Sequence, residues 1–196
     1  MNKAALGFRV KSGWAMAVLI SGPASSPKVI DRRRVELADP KVPESIQPFH
    51  AGLDLPKGAG AKEVARLVKC VERASQRAIA ELIDHYRSAD YRIVSGGIVA
   101  GSIIDPRTIK NDHIRAHAEE GKLFRVVIQD ALKQAGLRSS VTPEKELMDK
   151  ATKVLGLSAQ KVKIELVTMG KAVNGAWRAE EKAATLAAWI ELRRGK

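Results

Sequence analysis

Residues 91–101, YRIVSGGIVAG, are almost wholly apolar after the first two positions and show no alternation of apolar and polar side chains. A strand with one wet face alternates, whereas a strand covered on both faces does not. This segment therefore predicts an interior strand of a sheet with helices above and below it. The preceding residues supply one such helix. Across residues 61–88, Val64, Leu67, Val71, Ile79, Leu82, Ile83 and Tyr86 recur at helical spacing. The opposite side carries Lys62, Arg66, Lys69, Arg73 and Arg77, a row that reads as a solvated face.

The rest of the order follows from local signals. Residues 4–20 place two apolar stretches around Lys11-Ser12-Gly13, and glycine takes positive φ without steric cost, so the pair reads as a hairpin. A turn cluster at 22–27 leads to a third strand at 28–37. Residues 38–60, with Pro40, Pro43, Pro48 and Pro56, read as one long connection. Asp105-Pro106 has the composition of a helix start, and the helical pattern runs on to Ala135 and stops at Gly136. Asn111-Asp112 offers a second start. Residues 138–141 fit a short fifth strand. Helices are then expected from Thr142-Pro143-Glu144 to Leu155, from Ser158 to Met169, and over 178–193. The whole reads as a single α/β domain, 1–196, with a sheet-forming core at 1–142 and C-terminal helices, 143–196, packed on it.

Composition excludes several classes. Hydrophobic residues make up 45% of the 196, enough for a packed core and too many for a disordered chain. Cys70 is the only cysteine, which rules out a disulfide framework and a multi-cysteine metal site. A reducing, cytoplasmic location is expected. The apolar run Trp14–Ile20 is too short to span a bilayer, and a hairpin explains it better than a leader segment. The net charge of +12 is shared evenly by the two halves of the chain and raises the expectation of a nucleic-acid partner. The oligomeric state, a homodimer included, stays open.

Three antiparallel strands, then helix, strand, helix, strand and further helices resemble the ribonuclease H-like superfamily. Local sequence carries the likeness further. Leu6-Gly7-Phe8-Arg9-Val10-Lys11-Ser12-Gly13-Trp14-Ala15 is similar to the first hairpin of RuvC-type Holliday-junction resolvases. Ala179–Trp189 is similar to the final helix, in which an acidic residue precedes an Ala-rich packing face. The resemblance implies a mixed five-stranded sheet flanked by helices. It also implies an Asp in the first strand that helps hold two Mg²⁺ ions for phosphodiester cleavage. The matching residue is Arg9, which repels a metal instead of ligating it. The strand Ile93–Gly101 has no acid, and Asp105 beyond it reads as a cap. Glu144 or Glu146, and Glu180 or Glu181, fill the remaining positions.

The expectation is therefore a non-catalytic nucleic-acid-binding protein with no metal or other cofactor. Arg9, Lys11, Arg32, Arg34 and Lys171 are its expected phosphate contacts. The alternative is a Mg²⁺-dependent nuclease or phosphodiesterase using Glu144, Glu181 and the His113/His117 helix. A protein-interaction module without chemistry is the third reading.

Two clusters bear on the choice. His113 and His117 share a helix face, with Glu120 nearby. Phased on Phe124 and Ile128, His117 points to the core or the sheet edge as a hydrogen-bonded structural imidazole, ahead of a ligand-positioning or metal-binding one. This helix start remains the first place to look for a hidden enzyme site. Arg32-Arg33-Arg34 lies in a strand, where alternating charges on an edge block aggregation. Only eight aromatic residues are present, and no two adjoin a basic strand motif to make a base-stacking platform.

Overall fold

Alternation in the first strand sorts the molecule into layers. In β1 (Asn2–Lys11), Ala4, Leu6, Phe8 and Val10 point to one side, while Ala5 and Gly7 point to the other. β2 (Trp14–Ser21) and β3 (Lys28–Glu36) continue antiparallel, and β4 (Tyr91–Ala100) and β5 (Arg138–Pro143) run parallel to β1. The sheet order is β3-β2-β1-β4-β5, so the expected hairpin supplies the centre of the sheet. The computed structural model describes residues 1–195. Among these, no helix is long and apolar enough to cross a membrane.

One face is covered by α1 (Pro48–Leu53), α2 (Lys57–Ser88) and α3 (Asp112–Gln134). Its core joins Leu6, Phe8 and Ile98 to Ile79, Ile83 and Phe124, all essentially inaccessible. The other face carries α6 (Ala179–Arg194), itself covered by α4 (Leu147–Leu155) and α5 (Ala159–Lys171). Because it is wrapped on both sides, α6 is buried almost continuously from Glu181 to Leu192 and has no polar stripe. Of the C-terminal helices, α6 lies on the sheet and α4 lies on α6.

α6 comes unusually near the sheet. A Cβ on Gly7 would stand 1.8 Å from the Ala184 carbonyl oxygen, and one on Gly97 would stand 2.7 Å from that of Ala187. Neither residue tolerates a side chain, because the opposing atoms are backbone. Ala184, Ala187 and Ala188 keep the facing surface of α6 equally small.

Several elements differ from the sequence reading, among them α4, which starts at Leu147 because Thr142 and Pro143 belong to β5. The Pro-rich connection is not open chain: a 3-10 turn at Pro43–Ile46, α1 and the first turn of α2 occupy it. Prolines set the starts of the first two, where a missing N–H costs nothing. Asp105 does cap, accepting from the Arg107 N–H, but it opens only the 3-10 turn Pro106–Thr108. The long helix begins at the second start, with the Asn111 side chain accepting from the Ile114 N–H at 3.0 Å. In β4 the register against β1 shifts between Ala4 and Leu6, a bulge that breaks alternation as well as double coverage does.

β3 is tied to α2 by Tyr86, whose hydroxyl donates to Asp31 at 2.6 Å. Burial raises the Asp31 carboxyl, but the Tyr86 and Arg33 hydrogen bonds outweigh it and hold the group below its ordinary value. Stability from this group is present above the unfolded carboxylate range, near pH 4, and is lost as pH falls through the lower folded value. Tyr86→Phe is expected to cost about 1–2 kcal/mol at pH 7 and less at pH 3, read by urea unfolding at both pH values. Gly7→Ala should cost more than about 3 kcal/mol or prevent folding. Gly121→Ala, in a helix interior with open space around it, should add about 0.5–1 kcal/mol by the same measurement.

Candidate functional site

Parallel pairing brings the carboxyl ends of β1, β4 and β5 together, the usual ligand-binding edge of an open α/β sheet. A cavity of about 230 Å³ opens there, lined by Arg9, Lys11, Gly101, Ser102 and His117 among others. The sheet supplies Arg9 and Lys11, α3 supplies His117, and the start of α6 lies alongside with Glu180 and Glu181.

Three of the cations singled out from the sequence, Arg9, Lys11 and Arg32, pair with carboxylates singled out with them. Arg9 is buried, and its guanidinium lies 2.6 Å from Glu144 while donating to the Val10 carbonyl at 2.7 Å. Lys11 stands 3.3 Å from Glu180. Arg32 donates to Glu181 at 3.2 Å, to the Ala176 carbonyl at 2.6 Å and to the Asn174 carbonyl. Arg34 pairs with Glu36 on the outer strand and stacks over the Trp14 ring at 4.3 Å. Lys171 is exposed at the end of α5. Arg9, expected as a phosphate contact, is buried with its fork directed to Glu144 and the Val10 carbonyl. Arg32 likewise spends its donors on the 174–181 segment.

The two-Mg²⁺ site implied by the resemblance does not fit these residues. Mg²⁺ demands oxygen ligands, and a guanidinium occupies the central strand position. Asp105, beyond β4, is held down to about 2 by its hydrogen bonds with Arg107, which engage both carboxylate oxygens. Glu180 is held below the usual range by its own backbone N–H and then by Lys11. Glu181 also accepts from the Arg178 N–H at 3.0 Å, which satisfies a donor at the start of α6. Glu144, Glu181 and a histidine do not converge: among the described residues, the group with metal-ligand proximity is His50, His113 and His117.

That group was only half visible in the sequence. His50, on α1, comes from the segment read as a connection. His113 and His117 are exposed, so His117 is not the core-facing imidazole expected. The inner stripe of α3 is Ala116, Glu120, Phe124, Val127 and Ile128, and the residue that turns inward is Glu120, with no exposed surface. His50 Nδ1 lies 2.8 Å from Glu120 Oε1, and the His50 backbone N–H reaches the same oxygen at 3.3 Å.

The Arg9–Glu144 pair is half-buried, with side-chain exposures of 7% and 47%. Glu144→Ala is expected to cost about 1–3 kcal/mol, because it strands a desolvated guanidinium. Glu36→Ala, which removes an exposed partner of Arg34, should stay within about 0.5 kcal/mol. Chemical denaturation of both variants checks the contrast.

No protein-family model matches the chain, and no curated protein matches it. Solved structures do. RuvC of T. thermophilus in complex with a Holliday junction substrate superposes with a TM-score of 0.57 at 8% identity, covering 96% of this chain and 91% of that one. Thermus thermophilus RuvC in a second structure gives the same score and identity over 95% and 92%. Identity this low speaks for the fold alone, and over nearly the full length of both chains that fold is ribonuclease H-like.

Proposed function

We propose that this chain binds nucleic acid and does not cleave it. The observation that carries the reading is Arg9, whose guanidinium lies 2.6 Å from Glu144 at the carboxyl end of the central strand. A fixed cation there satisfies the carboxylate internally and disfavours a divalent ion by charge. The net charge of +12 supports a polyanionic partner. A RuvC of the same fold has been seen with a Holliday junction. Lys11, Arg34 and Lys171 keep their heads at least partly in solvent and are the proposed phosphate contacts. A surface ion pair such as Lys11–Glu180 contributes little to stability, so exchanging its carboxylate for a phosphate costs little. The basic row of α2, Lys62, Arg66, Lys69, Arg73 and Arg77, is exposed and offers a second track.

Fluorescence anisotropy with labelled single-stranded, duplex and four-way-junction DNA and with RNA tests this over a salt series. Binding should weaken linearly in log salt, and Lys11→Ala with Lys171→Ala should reduce the slope by about 2. No binding at low salt would sink the nucleic-acid reading. Strand cleavage with Mg²⁺ or Mn²⁺, absent from a Glu144→Gln/Glu181→Gln control, would overturn its non-catalytic half.

A further inference from the structure

His50, His113 and His117 bring one nitrogen each to within 4.8 Å of one another, on two different helices. The rings touch, with centroids 4.2, 4.6 and 4.7 Å apart. An i, i+4 pair on one helix supplies two imidazoles on one side. The third arrives from a segment more than sixty residues away in sequence, so chain proximity does not explain it.

The surroundings of His50 point to what the cluster holds. Its Nδ1–H donates to Glu120 at 2.8 Å, which leaves Nε2 as a lone-pair acceptor. That Nε2 atom is buried and has no hydrogen-bond partner. Buried polar atoms are nearly always satisfied, and an orphan calls for a reason such as an ion. Glu120 is wholly buried, its Oε2 is also without a partner, and that oxygen lies 3.9 Å from His117 Nδ1. A desolvated carboxylate behind three imidazoles favours a cation in front of them and disfavours an anion. A carboxylate that orients a histidine through its second nitrogen is the outer-sphere arrangement of histidine metal sites.

We propose that His50, His113 and His117 form a binding site for one divalent transition-metal ion, best suited to Zn²⁺, with Glu120 as the outer-sphere carboxylate that orients His50. Three imidazoles suit Zn²⁺ and its transition-metal neighbours and do not suit Mg²⁺. Nitrogens on a tetrahedral zinc stand about 3.4 Å apart, given zinc–nitrogen bonds of about 2.0–2.1 Å. The exposed side chains of His113 and His117 close the difference by small rotations about their own bonds. The ion clamps α1 to α3, and three protein ligands leave a coordination position for water or another donor. His117 also lines the cavity beside Arg9, so the ion sits at the edge of the proposed nucleic-acid surface without depending on that reading.

The test is calorimetric titration of the full, metal-stripped chain, free of any polyhistidine tag, with Zn²⁺ and separately with Mg²⁺. One equivalent of Zn²⁺ should bind, with no heat from Mg²⁺. His113→Ala and His117→Ala, both at exposed positions that leave the core intact, should each weaken Zn²⁺ at least 100-fold. Glu120→Gln should weaken it about 10–100-fold and keep the same stoichiometry. Co²⁺ should give the visible absorption of a four-coordinate ion, and His113→Ala should abolish it. Absence of Zn²⁺ binding, or binding that survives the His113→Ala/His117→Ala double variant, would overturn the site. Neither result bears on whether the chain binds DNA.

Discussion

The approach of α6 to the centre of the sheet is the constraint on which the rest depends. Gly7 on β1 and Gly97 on β4 remove the side chains that would hold the helix off, and alanines on α6 answer them. With no side-chain layer between, helix backbone rests on strand backbone. The start of α6 is thereby fixed at the carboxyl ends of the parallel strands, which brings Glu180 to Lys11 and Glu181 to Arg32. The same burial makes α4 and α5 necessary, since α6 exposes apolar surface on its far side that must also be covered. The arrangement of charges at the sheet edge is therefore a consequence of packing at the sheet centre.

Much of this was legible in the sequence because it is written in local periodicity. The hairpin, the interior strand and the long helix of residues 61–88 each announce themselves within one window, and their order is enough to imply the fold. That Arg9 stands where the resemblance implies a first-strand Asp was also legible, from the likeness of residues 6–15 to a RuvC-type first hairpin. That it would be buried against Glu144 was not. The partner lies 135 residues away, and its approach depends on β5 pairing with β4.

The histidine cluster shows where local reading stops. A helical wheel centred on Phe124 and Ile128 carries both His117 and Glu120 on the inward side, and residue preference alone gives the buried place to the imidazole. Here the inward stripe passes through Glu120, because α1 supplies an imidazole and a backbone N–H to meet it. Neither donor was foreseeable while residues 38–60 read as a loop. His50 could only have been found by noticing that Gln47-Pro48 resembles a helix start, with proline at the first helical position. Similarly, the cap at Asp105 was real but too short-lived to carry the helix attributed to it.

The guanidinium of Arg9 makes one property of this sheet edge permanent. A fold that neutralises clustered acids with diffusible ions is tied to its surroundings: the charge it presents changes with the supply of the ion and vanishes with a chelator. In this chain the counterion for Glu144 is attached by its own side chain to the central strand and is sealed from solvent. It is present at an effectively constant local concentration from the moment the strands pair. The neutralisation of Glu144 is thus inherited with the sequence, whatever ion the neighbouring histidines take up.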